Sequence, residues 1–240
     1  MITAMPSILV VDDDPVSLAF LVAAIERLGC IAIACPSGGD ALKAVAAANA
    51  DLLLLDRHLG DSDGPALLAL MRQRGITAPA IATSAEIDAA AAANLRESGF
   101  VDTLAKPTTL TLLQELLQRH LRVGEAASAV PEPNAVAGAL LDDHSALAAL
   151  GGDRTALKAL RGLFARELEA LDRDFDVPTL ISGGRLHRLR ASCGFCGALR
   201  LAGATVLLDH ALRSGDASAP ALVQQFQLAC RATRQALAAD

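Results

Sequence analysis

Residues 8–14 read Ile8-Leu9-Val10-Val11-Asp12-Asp13-Asp14, a short aliphatic run that stops abruptly on three carboxylates. Four apolar residues bounded this tightly suit a strand buried on both faces, since a buried helix would run longer. The pattern then repeats. Apolar runs at 31–34, 52–55, 80–83 and 101–105 alternate with helix-periodic stretches at 15–28, 40–48, 65–74, 87–98 and 109–121. Five strands alternating with five helices predict a parallel sheet covered by helices on both faces. Ligands of such sheets sit beyond the carboxyl ends of the strands, near the switch in strand order.

Reactive side chains collect at those ends. Asp12, Asp13 and Asp14 follow the first strand, Asp56 the third, Thr83-Ser84 the fourth and Lys106-Pro107 the fifth. Carboxylates, a hydroxyl and an ammonium should therefore converge on one crevice. Phosphoryl transfer to a carboxylate needs this set. Clustered carboxylates repel one another unless a divalent cation neutralises them, and a hard cation such as Mg²⁺ prefers oxygen ligands. Metal, lysine and hydroxyl hold the phosphoryl oxygens. One carboxylate is left as the nucleophile that forms an acyl phosphate.

The residues resemble the receiver domain of two-component response regulators. The resemblance rests on Val10-Val11-Asp12-Asp13, the isolated Asp56 after 52–55, Asp63-Gly64, residues 79–85 and Lys106-Pro107, and it covers roughly 6–121. It implies a (βα)5 flavodoxin-like domain with Asp56 as phosphoacceptor. It further implies Mg²⁺ held by Asp13, Asp56 and the backbone carbonyl of His58, with Asp12 assisting through water. Ser84 would be the switch hydroxyl, and Lys106 would bind the phosphoryl group. Two positions depart from the family. Thr103 stands where an aromatic switch residue is usual, and Leu59-Gly60 replaces the common Met-Pro. Plainer readings exist: Asp12 to Asp14 as a helix-capping cluster, and Ser84 as a cap for the next helix. The His58 side chain is assigned no role.

From 123 to 138 the pattern dissolves into Gly, Ala, Ser, Glu and prolines, which reads as a linker between a domain at 1–122 and another at 139–240. No strand signal returns after it. Helices are expected at 140–150, 154–171, 179–199, 202–213 and 219–239. Their breaks fall at Gly151-Gly152, Asp176-Val177-Pro178, around Gly203 and at Ser214-Gly215-Asp216. That is an all-α bundle.

Within it, Leu186, Leu189, Cys193 and Cys196 share one helix face, which should point inward. His187 lies away from that face, beside the small residues Ala191, Gly194 and Ala198, with Arg190 one turn along. Helix-interior glycine costs roughly 1 kcal/mol, so a smooth exposed patch around a histidine is poorly explained by stability. Docking of another protein over the imidazole explains it better. Neutral imidazole is nucleophilic near pH 7, and a guanidinium can hold phosphoryl oxygens. The segment looks like the histidine phosphotransfer (HPt) motif: His187, Leu189, Ser192, Gly197 and Ala198 match, Arg190 replaces a lysine and Ala191 a glycine. The resemblance runs over about 139–240. It implies a four-helix bundle that carries a phosphoryl group on His187, with Arg190 binding it. A solvent-facing structural histidine is the plain alternative. Cys193-Gly-Phe-Cys196 could be a redox pair or half a zinc site, but mid-helix on the inward face it reads as core packing. His120, His144 and His210 read as surface residues.

Across all 240 residues the formal charge is −6 and aromatics are only 2%. Neither a basic stripe nor a set of stacking residues suggests a nucleic-acid partner. No run approaches the roughly 18 apolar residues of a membrane span. No positive charge precedes Arg27, so a secretory start is not expected. The five cysteines suit free thiols in the cytoplasm. Together the resemblances imply a phosphorelay protein whose partners are a sensor histidine kinase, hybrid or otherwise, and other receiver domains. Neither half shows an ATP-binding motif or an output domain, so slow self-catalysed turnover at Asp56 is the only enzymatic activity expected. Two rivals are a binding module gated by the receiver, in which His187 is never phosphorylated, and a redox or zinc sensor built on Cys193 and Cys196.

Overall fold

The first half of the chain is a strand–helix alternation throughout: β1 (Ser7–Val11), α1 (Pro15–Arg27), β2 (Ile31–Cys35), α2 (Gly38–Ala47), β3 (Leu52–Asp56), α3 (Gly64–Gln73), β4 (Ala80–Ser84), α4 (Ala89–Glu97), β5 (Asp102–Ala105) and α5 (Leu110–His120). This computed structural model describes residues 5–47, 49–60, 62–85, 88–121, 140–182 and 185–239. The chain divides into two units, Met1–Val130 and Pro131–Asp240. The linker expected at 123–138 lies outside the described residues.

All strand pairs are parallel, in the order β2-β1-β3-β4-β5. This is a flavodoxin-like arrangement, and its order switches between β1 and β3. Every residue of β3 and β4 is buried, which is why these strands read as unbroken apolar runs. Leu9, Val11, Leu53 and Leu55 meet Leu67, Leu68, Met71 and Phe100 in the core on one face of the sheet. The helix starts follow from side-chain caps. Asp14, Asp63, Asp88 and Thr109 each accept from a backbone N–H three residues on, and Pro15 and Pro65 occupy first-turn positions that need no N–H.

The second unit contains α6 (Asp143–Ala149), α7 (Arg154–Arg173), α8 (Val177–Ser182), α9 (Arg185–Cys196), α10 (Leu199–Ser214) and α11 (Ala219–Ala238). α7 packs on α9 and α11, and α10 packs on the same two, so four helices close a ring. Phe164, Phe195, Phe226, Leu201 and Leu208 are fully buried within it. The helix expected at 179–199 stops earlier here, because α9 ends at Cys196. Gly197 takes φ 74°, and a Cβ there would stand 2.4 Å from the Asp142 carbonyl oxygen. The Ala198 N–H turns back to the Cys193 carbonyl at 2.8 Å, which closes the helix. The break placed near Gly203 is therefore at Gly197, and Gly203 lies inside α10. A glycine with ordinary helical dihedrals weakens a helix without ending it, whereas a left-handed one ends it.

Candidate functional site

Register brings the strand ends level. Val11 pairs with Leu55, Asp56 with Thr83 and Ser84 with Ala105, so Asp12, one residue past β1, stands beside Asp56. The Lys106 ammonium reaches between them, with Nζ 2.6 Å from Asp12 Oδ2 and 2.6 Å from Asp56 Oδ2. Asp12, Asp56, Lys106 and Ser84 are all buried. The Ser17 hydroxyl donates to Asp12 Oδ2 at 2.6 Å, and the His58 N–H donates to Asp56 Oδ1 at 3.2 Å.

The three expected aspartates divide their work. Asp14 caps α1 through Ser17 N–H at 2.7 Å, so the capping reading holds for that residue. Asp12 and Asp13 instead join Asp56, with carboxylate oxygens of the three all within 4.8 Å of one another. Among the described residues no other such group of His, Cys, Asp or Glu gathers, which leaves Cys193 and Cys196 outside any metal-competent cluster. Ser84 does not cap the next helix, because Asp88 does. Thr103 is half-buried on β5.

Charge explains the local electrostatics. Burial, reinforced by the Asp56 carboxylate, pushes the Asp12 carboxyl above the usual range, although Lys106 and Ser17 pull the other way. Burial alone would lower the Lys106 pKa, but Asp12 and Asp56 more than reverse this and keep the ammonium charged. Three carboxylates against one ammonium still leave the crevice rich in anionic oxygen. That donor set fits a hard divalent cation such as Mg²⁺, held by Asp12, Asp13 and Asp56. The backbone also crowds the site. A Cβ at Gly64 would come within 2.4 Å of the Asp56 carbonyl oxygen, and one at Gly60 within 3.0 Å of Asp13 Oδ2. His58 pairs with Asp63 in an isolated bridge whose two bonds are made by Arg57–Gly64 and Leu59–Ser62, not by the His58 carbonyl.

In the second unit, Leu186, Leu189, Cys193 and Cys196 are buried as expected, and none of the five cysteines is in a disulfide. His187 and Arg190 are half-buried on α9. The smooth exposed patch is smaller than the helical wheel suggested: Ala191 is 2% exposed and Ala198 0%, so of the three small residues only Gly194 is partly open. α9 is flanked by α6, α7, α8 and α10, which leaves a narrow strip of it in solvent. His144 and His210 are exposed as read, but His120 is half-buried, 3.0 Å from Asp102 Oδ2.

Two participants were not singled out in the sequence. Ser17 carried a readable signal, its position in the first turn after the aspartates. Arg161 carried none. It is buried in α7, donating to the Cys196 carbonyl at the end of α9 (3.3 Å from Nη2) and to Asp143 of α6 at 2.6 Å.

Residues 8–118 match the response regulator receiver domain family, and the N-terminal unit is a receiver domain of two-component signalling. The chain is 29% identical over 229 residues to the signal transduction histidine-protein kinase BarA of Shigella flexneri, covering 87% of this chain and 24% of that protein. It is 27% identical over 249 residues to the sensor histidine kinase GacS of Pseudomonas protegens, covering 92% and 26%. The chain thus spans about a quarter of the length of these relatives. Coverage of 87% is more than Met1–Val130 can supply, so the similarity extends into the helical unit. A solved receiver domain, that of Francisella response regulator 1452, is 27% identical with a TM-score of 0.46, over 49% of this chain and 97% of that one. Among the described residues, no helix is long and apolar enough to cross a membrane.

Proposed function

We propose that the chain is a phosphorelay protein: Asp56 accepts a phosphoryl group from a phosphohistidine, and His187 carries one to or from a receiver. One observation supports this most directly, the buried Lys106 ammonium held 2.6 Å from Asp56 Oδ2. In the reaction an Asp56 oxygen attacks phosphorus, the P–N bond of the phosphohistidine breaks, and the departing imidazole retains its electron pair and takes a proton. Lys106 and the Ser84 hydroxyl would bind the phosphoryl oxygens, and the His58 N–H, which donates to Asp56 Oδ1, would orient the carboxylate. Mg²⁺ held by Asp12, Asp13 and Asp56, with the His58 carbonyl, would neutralise the charge that gathers there.

For the second unit, the closed ring of four helices and a match that runs beyond the receiver both support an HPt role for His187 and Arg190. The partners would be a sensor histidine kinase and other receivers. The test is labelling of the full chain with a small phosphodonor and Mg²⁺. Wild type should gain a base-labile acyl phosphate that Asp56→Ala lacks, and phosphohistidine should appear with a phosphorylated receiver but not in His187→Gln. Equal labelling of Asp56→Ala sinks the receiver assignment. A second reading, a receiver-gated binding module with an unphosphorylated His187, draws on the burial of Ala191 and Ala198. Failure to label His187 would favour it.

A further inference from the structure

A cleft opens between the β3–α3 connection and α4, lined by Arg57, His58, Asp63, Pro65, Leu95 and Ser98 among others. It lies to the side of the carboxylate crevice and includes none of Asp12, Asp13, Asp56 or Lys106. Arg57 is half-buried, and its backbone N–H is taken by the Thr83 carbonyl at 2.9 Å. Among the described residues, however, its guanidinium has no hydrogen-bond or ion-pair partner. Holding an arginine partly out of water without a counter-charge is unfavourable, so a half-buried Arg57 on the cleft lining is suited to an incoming anion. The same lining carries the apolar side chains of Leu95 and Pro65, together with Ser98.

We propose that this cleft binds a small organic monocarboxylate whose apolar group lies against Leu95 and Pro65 while its carboxylate takes the two-pronged bond of Arg57. The choice of a monoanion follows from Asp63. Its carboxylate accepts from the Ala66 N–H at 3.0 Å as the α3 cap, so it is fixed on the same lining. A phosphate dianion would face that charge, whereas one carboxylate can satisfy Arg57 with less repulsion. The cleft is only partly enclosed, so binding should be weak, on the order of millimolar. The same chemistry could come from a free metabolite-sized acid or from an acidic side chain on a peptide, and the probes below separate these.

The test is an NMR titration of the full chain with 3-phenylpropionate, 3-phenylpropanol, phenyl phosphate and a short peptide bearing a single glutamate among leucines. Saturable shifts of the Ala91, Leu95 and Ser98 amides are expected with 3-phenylpropionate, at least about tenfold weaker with the neutral alcohol and weaker with phenyl phosphate. Tighter binding of the peptide would assign the site to an acidic protein segment rather than a free acid. Arg57→Gln should weaken carboxylate binding about tenfold or more while leaving the backbone spectrum elsewhere unchanged. Arg57→Lys should restore part of it. The proposal is overturned if 3-phenylpropionate gives no saturable shift at the cleft, if the alcohol binds equally well, or if Arg57→Gln binds like wild type.

Discussion

Replacing Asp13 by Asn should make the metal-free protein more stable and the Mg²⁺-loaded protein less so. The Lys106 ammonium is taken by Asp12 and Asp56, and the Asp13 carboxylate lies within 4.8 Å of both of those aspartates. Two unit charges at that distance repel by about 3.5 kcal/mol at an effective dielectric of 20 and about 1 kcal/mol in water. Asp13 is half-buried, and Lys106 offsets part of the field, so relief of about 1–2 kcal/mol is expected. Asn keeps the shape and one acceptor oxygen, so little packing is lost. Calorimetry in EDTA should show the receiver transition rising by about 4 °C for each kcal/mol. In Mg²⁺ at a hundred times its Kd, wild type should gain about 2.7 kcal/mol through mass action, and the variant much less. The order of the two proteins should therefore reverse between EDTA and Mg²⁺. If the variant is less stable in EDTA, or if both proteins respond equally to Mg²⁺, the repulsive three-carboxylate site is wrong.

Two other outcomes follow from local geometry. Gly197→Ala must place a Cβ in the left-handed region and 2.4 Å from the Asp142 carbonyl oxygen, so it should destabilise the helical unit by about 2–4 kcal/mol in denaturant unfolding and leave the receiver transition unmoved. At Asp102, burial raises the carboxyl pKa, but the bonds from His120 and the Thr103 N–H together with Arg119 outweigh it, so the folded pKa lies below 3.8. Its stabilisation is then complete above pH 3.8 and lost as pH falls through the lower folded value. Asp102→Asn should cost about 0.5–1 kcal/mol at pH 7, and the difference should shrink as the solution is acidified below pH 3.8.

The sequence by itself determined the strand–helix alternation, the caps, and the collection of carboxylates and lysine at the strand ends. These depend on local rules. Strand and helix periods follow from backbone hydrogen bonding, and a parallel sheet delivers every strand's carboxyl end to one edge. The inward face of α9 was legible for the same reason, since Leu186, Leu189, Cys193 and Cys196 repeat at helical spacing. Only the tertiary structure decided which aspartate does what: Asp14 is close enough to Ser17 to cap α1, while Asp12 is bridged to Asp56 by a lysine 94 positions away. Only packing could show that Ala191 and Ala198 are covered, because a helical wheel records direction and not how many neighbours surround it. The break after this helix is likewise expected around Gly203 and lies at Gly197. Gly197 ends it because its left-handed turn and its close approach to Asp142 come from a contact between segments far apart in the chain. Arg161 joins α6, α7 and α9 through Asp143 and the Cys196 carbonyl, and no local pattern marks an arginine for burial. What depends on contacts between distant residues is settled only when the chain has folded.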